Sequence, residues 1–282
     1  MTRRLAFTKM HGSGNDVVLL DALAGPLPPI EPLAKRLCDR RFGIGCDQLL
    51  VVRPSHSADF RMEIFNPDGS RAEMCANGLR AFFKYLHARG HTTKDEVAVE
   101  TPAGIVRPRW APGGLVRVDM GPPFLAPVKI PTRLGQGDGP VLDASLEVDG
   151  QRVTLSSVGM GNPHAILFVE NVDTAPVETL GPKLEHHPAF PNRTNVEFVQ
   201  VVARDRVRQR TWERGTGETL ACGSGACAVA VASVLRGVAE RTLTVVLRGG
   251  ELLLEWPSLD AHVYMTGPAA EVFTGQFLLE GE

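Results

Sequence analysis

The segment LACGSGACAVAVASVL, Leu220–Leu235, sets a cysteine at the mouth of a Gly-Ser-Gly turn and follows it with an alanine- and valine-rich run. Gly and Ser are turn and N-cap residues that open helices. Cys222 is therefore expected beside backbone N–H groups that have no intrahelical partner. A cysteine so placed can be a small buried hydrophobe, a metal ligand, a redox thiol or a catalyst. A second segment has the same form: MCANG places Cys75 just ahead of GLRAFFKYLHARG, residues 78–90. That run has apolar residues at helical spacing, a basic last turn and a terminal glycine, and GACAVAVASVLRG, residues 225–237, has the same shape and the same Arg-Gly ending.

Cys75 and Cys222 lie 147 residues apart, and the same gapless shift carries Asn15 onto Asn162, Gln48 onto Asn195 and Asn66 onto Glu213. GSGNDVVLL and GMGNPHAIL share the pattern G-x-G-N ahead of an apolar strand; with a slip of one or two residues, VDMGPP matches VYMTGPA. So long a period excludes a solenoid and predicts a duplication, two similar domains with a cleft between them. The break is expected in the Pro- and Gly-rich stretch GPPFLAPVKIPTRLGQGDGPV, residues 121–141. The expected domains are 1–122, completed by a returning C-terminal strand 268–282, and 123–267. Short apolar runs broken by turns, such as DVVLLDA, DQLLVVRP, HAILFVEN, NVEFVQVVAR, TLTVVLRGG and ELLLEW, predict many short strands.

The 282 residues are 43% apolar and 22% charged with net charge −2, a balance that supports neither a nucleic-acid nor a polybasic membrane partner. No apolar run approaches the roughly 18–20 residues that span a bilayer. MTRRLAFTKMHGSGND contains no signal-peptide core, so a cytoplasmic location is expected. The five cysteines include no C-x-x-C, and Cys222 and Cys227 have no matching His/Cys cluster, so neither a disulfide scaffold nor a metal site is expected. Cys38 and Cys227 are expected in the core.

Two related domains facing one another would bring two thiols to one cleft, each at a helix N-terminus that favours the thiolate. A free thiol has a pKa of about 8.5, and such a site lowers it to roughly 3.5–7.5. The two helix ends also form an anion site for a substrate carboxylate. This arrangement suits inversion at a carbon by two bases, one thiolate removing the α-proton and the opposite thiol returning one. The six lysines include none in a convincing pyridoxal phosphate motif. A cofactor-free reaction is expected, stabilised by the helix ends and by exclusion of water.

The motifs FTKMHGSGNDVVLLD, RRFGIGCDQLL, FNPDGSRAEMCANGLRAF, GMGNPHAILFV, RTNVEFV and WERGTGETLACGSGACA, in this order over nearly the whole chain, resemble diaminopimelate epimerases. The resemblance implies an α+β fold of two pseudosymmetric halves, each a strand-rich, closed or barrel-like sheet wrapped around a central helix, with the active site in the cleft between them. It implies cofactor-independent interconversion of LL- and meso-diaminopimelate in lysine and peptidoglycan precursor biosynthesis, by a cytoplasmic homodimer. Carried over position by position, Cys75 and Cys222 match the two acid/base thiols. Asn15, Gln48, Asn66, Asn162 and Asn195 match substrate-contacting amides, and Glu213 with Arg214 matches an acidic–basic pair. The backbone amides at Ala76-Asn77 and Gly223-Ser224 would hold the reacting carboxylate, and His164 and Glu213 would tune the thiols. One departure is Ala76, where the family more often has glycine; alanine serves if its φ is negative and is costly if φ must be positive. Cys46, beside Gln48 in GCDQ, is expected to be a passive neighbour.

Each assignment has a plainer alternative. Asn15 and Asn162 suit turns, FNPDGS around Asn66 reads as a β-turn, His164 could be a structural hydrogen-bonder, and Glu213 and Arg214 could form an exposed ion pair. Two other functions fit the architecture: a relative acting on proline or hydroxyproline, and a redox protein in which Cys75 and Cys222 form a disulfide.

Overall fold

The computed structural model describes residues 3–72 and 74–279. The chain divides into two compact units, one running up to Val118 and resuming from Gly267, the other formed by Asp119–Thr266. The first contains β1 (Arg3–Gly12), β2 (Asn15–Asp21), α1 (Ile30–Cys38), β3 (Gln48–Arg53), β4 (Phe60–Phe65), α2 (Ala76–Ala88), β5 (Val99–Thr101), β6 (Gly104–Val106) and the hairpin β7 (Arg109–Ala111)–β8 (Leu115–Asp119). The second contains β9 (Val141–Val148), β10 (Gln151–Gly159), β11 (Pro163–Phe168), α3 (Val177–Glu185), β12 (Asn195–Ala203), β13 (Arg206–Glu213), β14 (Gly217–Thr219), α4 (Gly223–Leu235), β15 (Thr242–Leu247), β16 (Gly250–Glu255) and β17 (Tyr264–Gly267). The tail forms β18 (Ala270–Leu279), antiparallel to β1; residues 280–282 of the expected returning strand lie outside the described residues.

In the first unit the strands run in the order β18-β1-β2-β3-β4-β5-β6, and in the second the corresponding path is β9-β10-β11-β12-β13-β15-β16-β17. The sense of pairing repeats step by step: β1–β2 and β10–β11 are antiparallel, β2–β3 and β11–β12 parallel, β3–β4 and β12–β13 antiparallel, β4–β5 and β13–β15 parallel. Register repeats as well. Val17 pairs with Gln48 as His164 pairs with Asn195, and Leu49 with Phe65 as Val196 with Trp212, every residue displaced by the same 147 positions. Helices α1 and α3, and α2 and α4, start and stop at positions related by that shift. One-residue slips would turn each strand's apolar face outward, so shared register is a demanding form of likeness.

Each sheet wraps one helix, α2 against β1, β2, β3 and β18, and α4 against β10, β11, β12, β15 and β16. Helix α4 is buried from Gly223 almost to its end, with Ala226, Ala228, Val229, Ala230, Val231 and Ala232 fully enclosed; a helix apolar on all sides is one that has no solvent face. Helix α2 fills the equivalent place with larger side chains, Leu79, Phe82, Phe83 and Leu86.

The expectation of closed or barrel-like sheets is corrected: both paths are open, and no pairing joins their ends among the described residues. Closure needs long edges of matched stagger, whereas β6, at one end of the first sheet, is only three residues long and largely exposed. Helices α1 and α3 were not foreseen from the sequence. In α1 the apolar positions Ile30, Leu33, Ala34, Leu37 and Cys38 form a helical stripe packed beside β3, but the run is only nine residues and carries Pro32 in its first turn.

Candidate functional site

Both candidate cysteines are helix N-caps. Cys75 precedes α2 and its Sγ accepts the Gly78 N–H at 3.1 Å; Cys222 precedes α4 and accepts the Gly225 N–H at 3.4 Å. The caps explain why these helices begin two residues before the expected starts: the sulfur takes the role usually filled by a Ser or Asp oxygen. Gly78 and Gly225 leave room for it. A Cβ at Gly78 would lie 2.9 Å from Cys75 Sγ and 3.0 Å from Leu50 Cδ1, and one at Gly225 would lie 2.6 Å from Glu197 Oε1 and 3.2 Å from Cys222 Sγ. Ala76 is the first residue of α2 and is not among the positive-φ residues, so the alanine fits the helical backbone without strain. Asn77 is buried in the same turn, and Gly223 and Ser224 open α4 in the equivalent place.

In the first unit one amide reaches the thiol and two others pair with each other. Asn15, at the start of β2, presents Oδ1 to Cys75 Sγ at 3.8 Å while its Nδ2 donates to Asp47 Oδ2 at 2.8 Å. Gln48 Nε2 donates to Asn66 Oδ1 at 3.2 Å, and Asn66 Nδ2 donates to Ser70 Oγ at 3.0 Å. Asn66 also accepts the Gly69 N–H through its backbone, so the β-turn reading of FNPDGS describes the backbone correctly. Sequence reading missed the ion-pair net behind Asn15. Arg40 bridges Asp16 and Asp47, and buried Lys9 reaches Asp16 and the carbonyl of Gly45. Burial opposes the Asp16 charge, but hydrogen bonds from Arg40 and Lys9 outweigh it and hold this carboxyl well below the usual range. Asp47 is pushed up by burial and by the Asp16 charge.

In the second unit the groups form a chain. Glu197 Oε1 lies 2.7 Å from His164 Nδ1, His164 Nε2 lies 2.9 Å from Asn162 Oδ1, and Asn162 Nδ2 donates to Ser224 Oγ at 3.3 Å. Ser224 Oγ is 3.6 Å from Cys222 Sγ. The side chains of Glu197 and His164 are both 0% exposed. Asn195 Oδ1 accepts the Arg214 N–H at 2.9 Å, and its Nδ2 donates to the Pro163 carbonyl. Arg214 and Glu213 take different partners: the guanidinium donates to the Asn192 carbonyl, and Glu213 Oε1 accepts the Thr219 hydroxyl at 2.5 Å. Burial pushes the Cys222 thiol up, and the Glu213 and Glu197 carboxylates add to it; the Ser224 hydroxyl and the Gly225 N–H pull it back.

Glu197 is the residue that sequence reading passed over, as one acidic letter inside the apolar strand NVEFV. The signal was present in the shift itself, which places Glu197 opposite Leu50 of QLLVV. Cys46 lies in the core with its Sγ 3.3 Å from that of Cys38, both nearly inaccessible, and Cys227 is fully buried. Among the described residues there is no group of three or more His, Cys, Asp or Glu placed to hold a metal ion, and no helix long and apolar enough to cross a membrane.

Comparison with known proteins gives this geometry a family. The family model of diaminopimelate epimerase matches residues 7–125 and 156–272. A diaminopimelate epimerase of Moorella thermoacetica is 54% identical over 279 residues, covering 97% of this chain and 99% of that protein. Among solved structures, a PhzF-family phenazine biosynthesis protein of Bacillus anthracis matches with a TM-score of 0.72 at 17% identity, over 98% of this chain and all of that one. A hydroxyproline epimerase of Agrobacterium vitis matches with a TM-score of 0.70 at 17% identity, over 99% of this chain and 94% of that one. At such low identity these two establish the two-part, strand-rich α+β fold alone. The match of the family model over most of the chain, with half or more of the residues shared with its curated relative, is decisive: the chain belongs to the diaminopimelate epimerase family.

Proposed function

We propose that this isomerase epimerises LL-2,6-diaminopimelate to the meso form without a cofactor, using Cys75 and Cys222 as two bases on opposite faces of one α-carbon. The observation that carries the reading is the pair of N-capping thiols at equivalent ends of duplicated helices, each accepting an N–H three residues on. One thiolate takes the α-proton, and the other thiol gives its proton to the opposite face. The two sulfurs then exchange protonation states, so the reverse reaction uses the same groups. The backbone N–H groups at Ala76-Asn77 and Gly223-Ser224 receive the reacting carboxylate, whose developing enolate charge the helix ends stabilise. Asn15, Gln48, Asn66, Asn162, Asn195, Glu213 and Arg214 hold the amino and distal carboxylate groups, which lets one stereocentre react while the other is only bound. His164 and Glu213 tune the thiols.

The product of this reaction is a precursor of lysine and peptidoglycan, which places the enzyme in the cytoplasm. The enzyme works as a homodimer; Val272, Phe273 and Leu278, exposed on the edge strand β18, offer an apolar surface to a second copy, and a monomeric mass by light scattering would exclude it. Reduced, pure enzyme incubated with LL-diaminopimelate in D2O should yield meso product carrying solvent deuterium at the inverted carbon. Absence of exchange rules the reading out, and preferential exchange of L-proline in the same mixture transfers it to another substrate.

A further inference from the structure

Beneath the first turn of α4 lies a buried polar layer of which the proposed reaction draws on His164 alone. Its members are His164 on β11, Glu197 on β12, and Gln209 and Thr211 on β13. At the equivalent positions of the first unit stand Val17, Leu50, Met62 and Ile64, all buried, so the fold does not require polar groups here. A buried acid retained where leucine fits points to a task other than packing.

The hydrogen-bond chain has a fixed direction. Asn162 offers Oδ1 to His164 and Nδ2 to Ser224, so His164 Nε2 must carry a proton. Its other nitrogen faces Glu197, and the pair keeps Nε2–H in two ways: as carboxylate with imidazolium, or as carboxyl donating to a neutral ring. Glu197 Oε2 has no hydrogen-bond partner, which favours the uncharged carboxyl. Either way the pair holds one shared proton and no net charge. With the Asn162 amide held so, Ser224 Oγ accepts from Nδ2, and its own hydrogen is free to point at Cys222 Sγ. We propose that Glu197 is a positioning residue for Cys222: through His164 and Asn162 it directs the Ser224 hydroxyl onto the sulfur and so stabilises the thiolate.

The charged and titratable groups facing this sulfur are Glu213 from β13, Glu197 from β12 and, through the chain, His164 from β11. Two mechanisms therefore compete at Glu197, and they differ in sign. As a neighbouring negative charge it would disfavour the thiolate; as the anchor of the chain it favours it. The catalytic meaning of the proposal rests on the two-base reading, but its test does not, because it reads the thiol rather than the turnover.

The test measures the rate at which iodoacetamide alkylates Cys222 across pH, resolved from Cys75 by peptide mass spectrometry. Glu197→Leu should slow Cys222 alkylation at neutral pH roughly tenfold and move its profile to higher pH, the size expected for losing a hydrogen bond to a charged group. Glu197→Gln, whose amide can donate to Nδ1 and keep Nε2–H, should restore the wild-type profile. Ser224→Ala should reproduce the upward shift, and combining it with Glu197→Leu should add nothing further. The double variant His164→Val with Glu197→Leu, which copies the Val17–Leu50 pair of the first unit, guards against misfolding and should show the same shift. Cys75 should keep its profile throughout. A downward shift in both Glu197 variants would make the residue a simple negative charge. An unmoved Cys222, additive effects with Ser224→Ala, or a parallel change in Cys75 would each overturn the proposal.

Discussion

The two halves of the chain share their helices, their caps and their strand register, and differ in what supports the cysteine. Below Gly78 lies Leu50, within an apolar layer; below Gly225 lies Glu197, within a polar one. Cys75 is partly exposed and looks toward Asn15, an amide anchored by the ion-pair net of Asp47, Asp16, Arg40 and Lys9. Cys222 is buried and looks toward Ser224, at the end of a chain anchored in the core. The cap itself is the same in both halves, because sulfur, N–H and a missing Cβ at the third residue on must coincide closely. The layer beneath differs. The difference also carries chemistry: an amide oxygen beside Cys75 accepts from a thiol, whereas a hydroxyl beside Cys222 can donate to a thiolate.

The largest expected effect tests what the halves have in common. If both cysteines are proton-transfer groups, Cys75→Ala and Cys222→Ala should each lower kcat/KM for epimerisation by at least about 10²–10⁴-fold, the usual worth of a positioned acid or base. Full activity in either variant would reduce the pair to a single working thiol and break the comparison at its root.

Next comes the difference in the supporting layer, measured as stability. His164→Val alone leaves Glu197 buried without its partner and should cost about 3–5 kcal/mol, the typical penalty for breaking a buried pair. Adding Glu197→Leu should recover most of that loss, since Val17 and Leu50 already show that the fold accepts those side chains at those positions. Urea unfolding of the single and double variants checks this. Equal destabilisation by both would mean that the polar layer in the second unit is needed for packing.

Much of this was legible in the letters. The shift of 147 residues aligned cysteines, amides and G-x-G-N turns before any coordinates, and the strands at DVVLLDA, DQLLVVRP, HAILFVEN and NVEFVQVVAR lie where the apolar runs put them. What escaped reading was of two kinds. Helices α1 and α3 are short and each carries a proline, so local pattern was weak and tertiary packing decided. Glu197, Asp47 and Lys9 escaped because each meets a partner more than 30 residues away in sequence, His164, Asn15 and the Gly45 carbonyl, and a charged letter does not announce what it meets. Openness of the sheets escaped as well, since pairing between end strands leaves no local trace.

A smaller effect separates the halves by pH. Because Arg40 and Lys9 hold the folded Asp16 carboxyl below its ordinary value of about 3.9, its contribution is present in full above that value and is lost as pH falls through the folded one. Asp16→Asn should therefore destabilise the protein at neutral pH, and the gap to the wild type should close progressively in acid. Denaturation midpoints measured from pH 7 downward test it; a gap that stays constant into strong acid would show that Asp16 acts through its shape rather than its charge.

The smallest expected effect concerns one of the letters by which the first turn of α2 departs from that of α4, Ala76 where the other has Gly223. Alanine at a helical φ restricts the unfolded chain more than glycine does and adds buried contact without strain. Ala76→Gly would give both turns a glycine at this position, yet it should lower stability by no more than about 1 kcal/mol, seen as a reduced midpoint at unchanged denaturant slope. The backbone N–H at this position survives the change, so the proposed carboxylate cradle keeps its donor. A gain in stability would mean that residue 76 needs a left-handed backbone after all, and that the two cradles are built to different geometries.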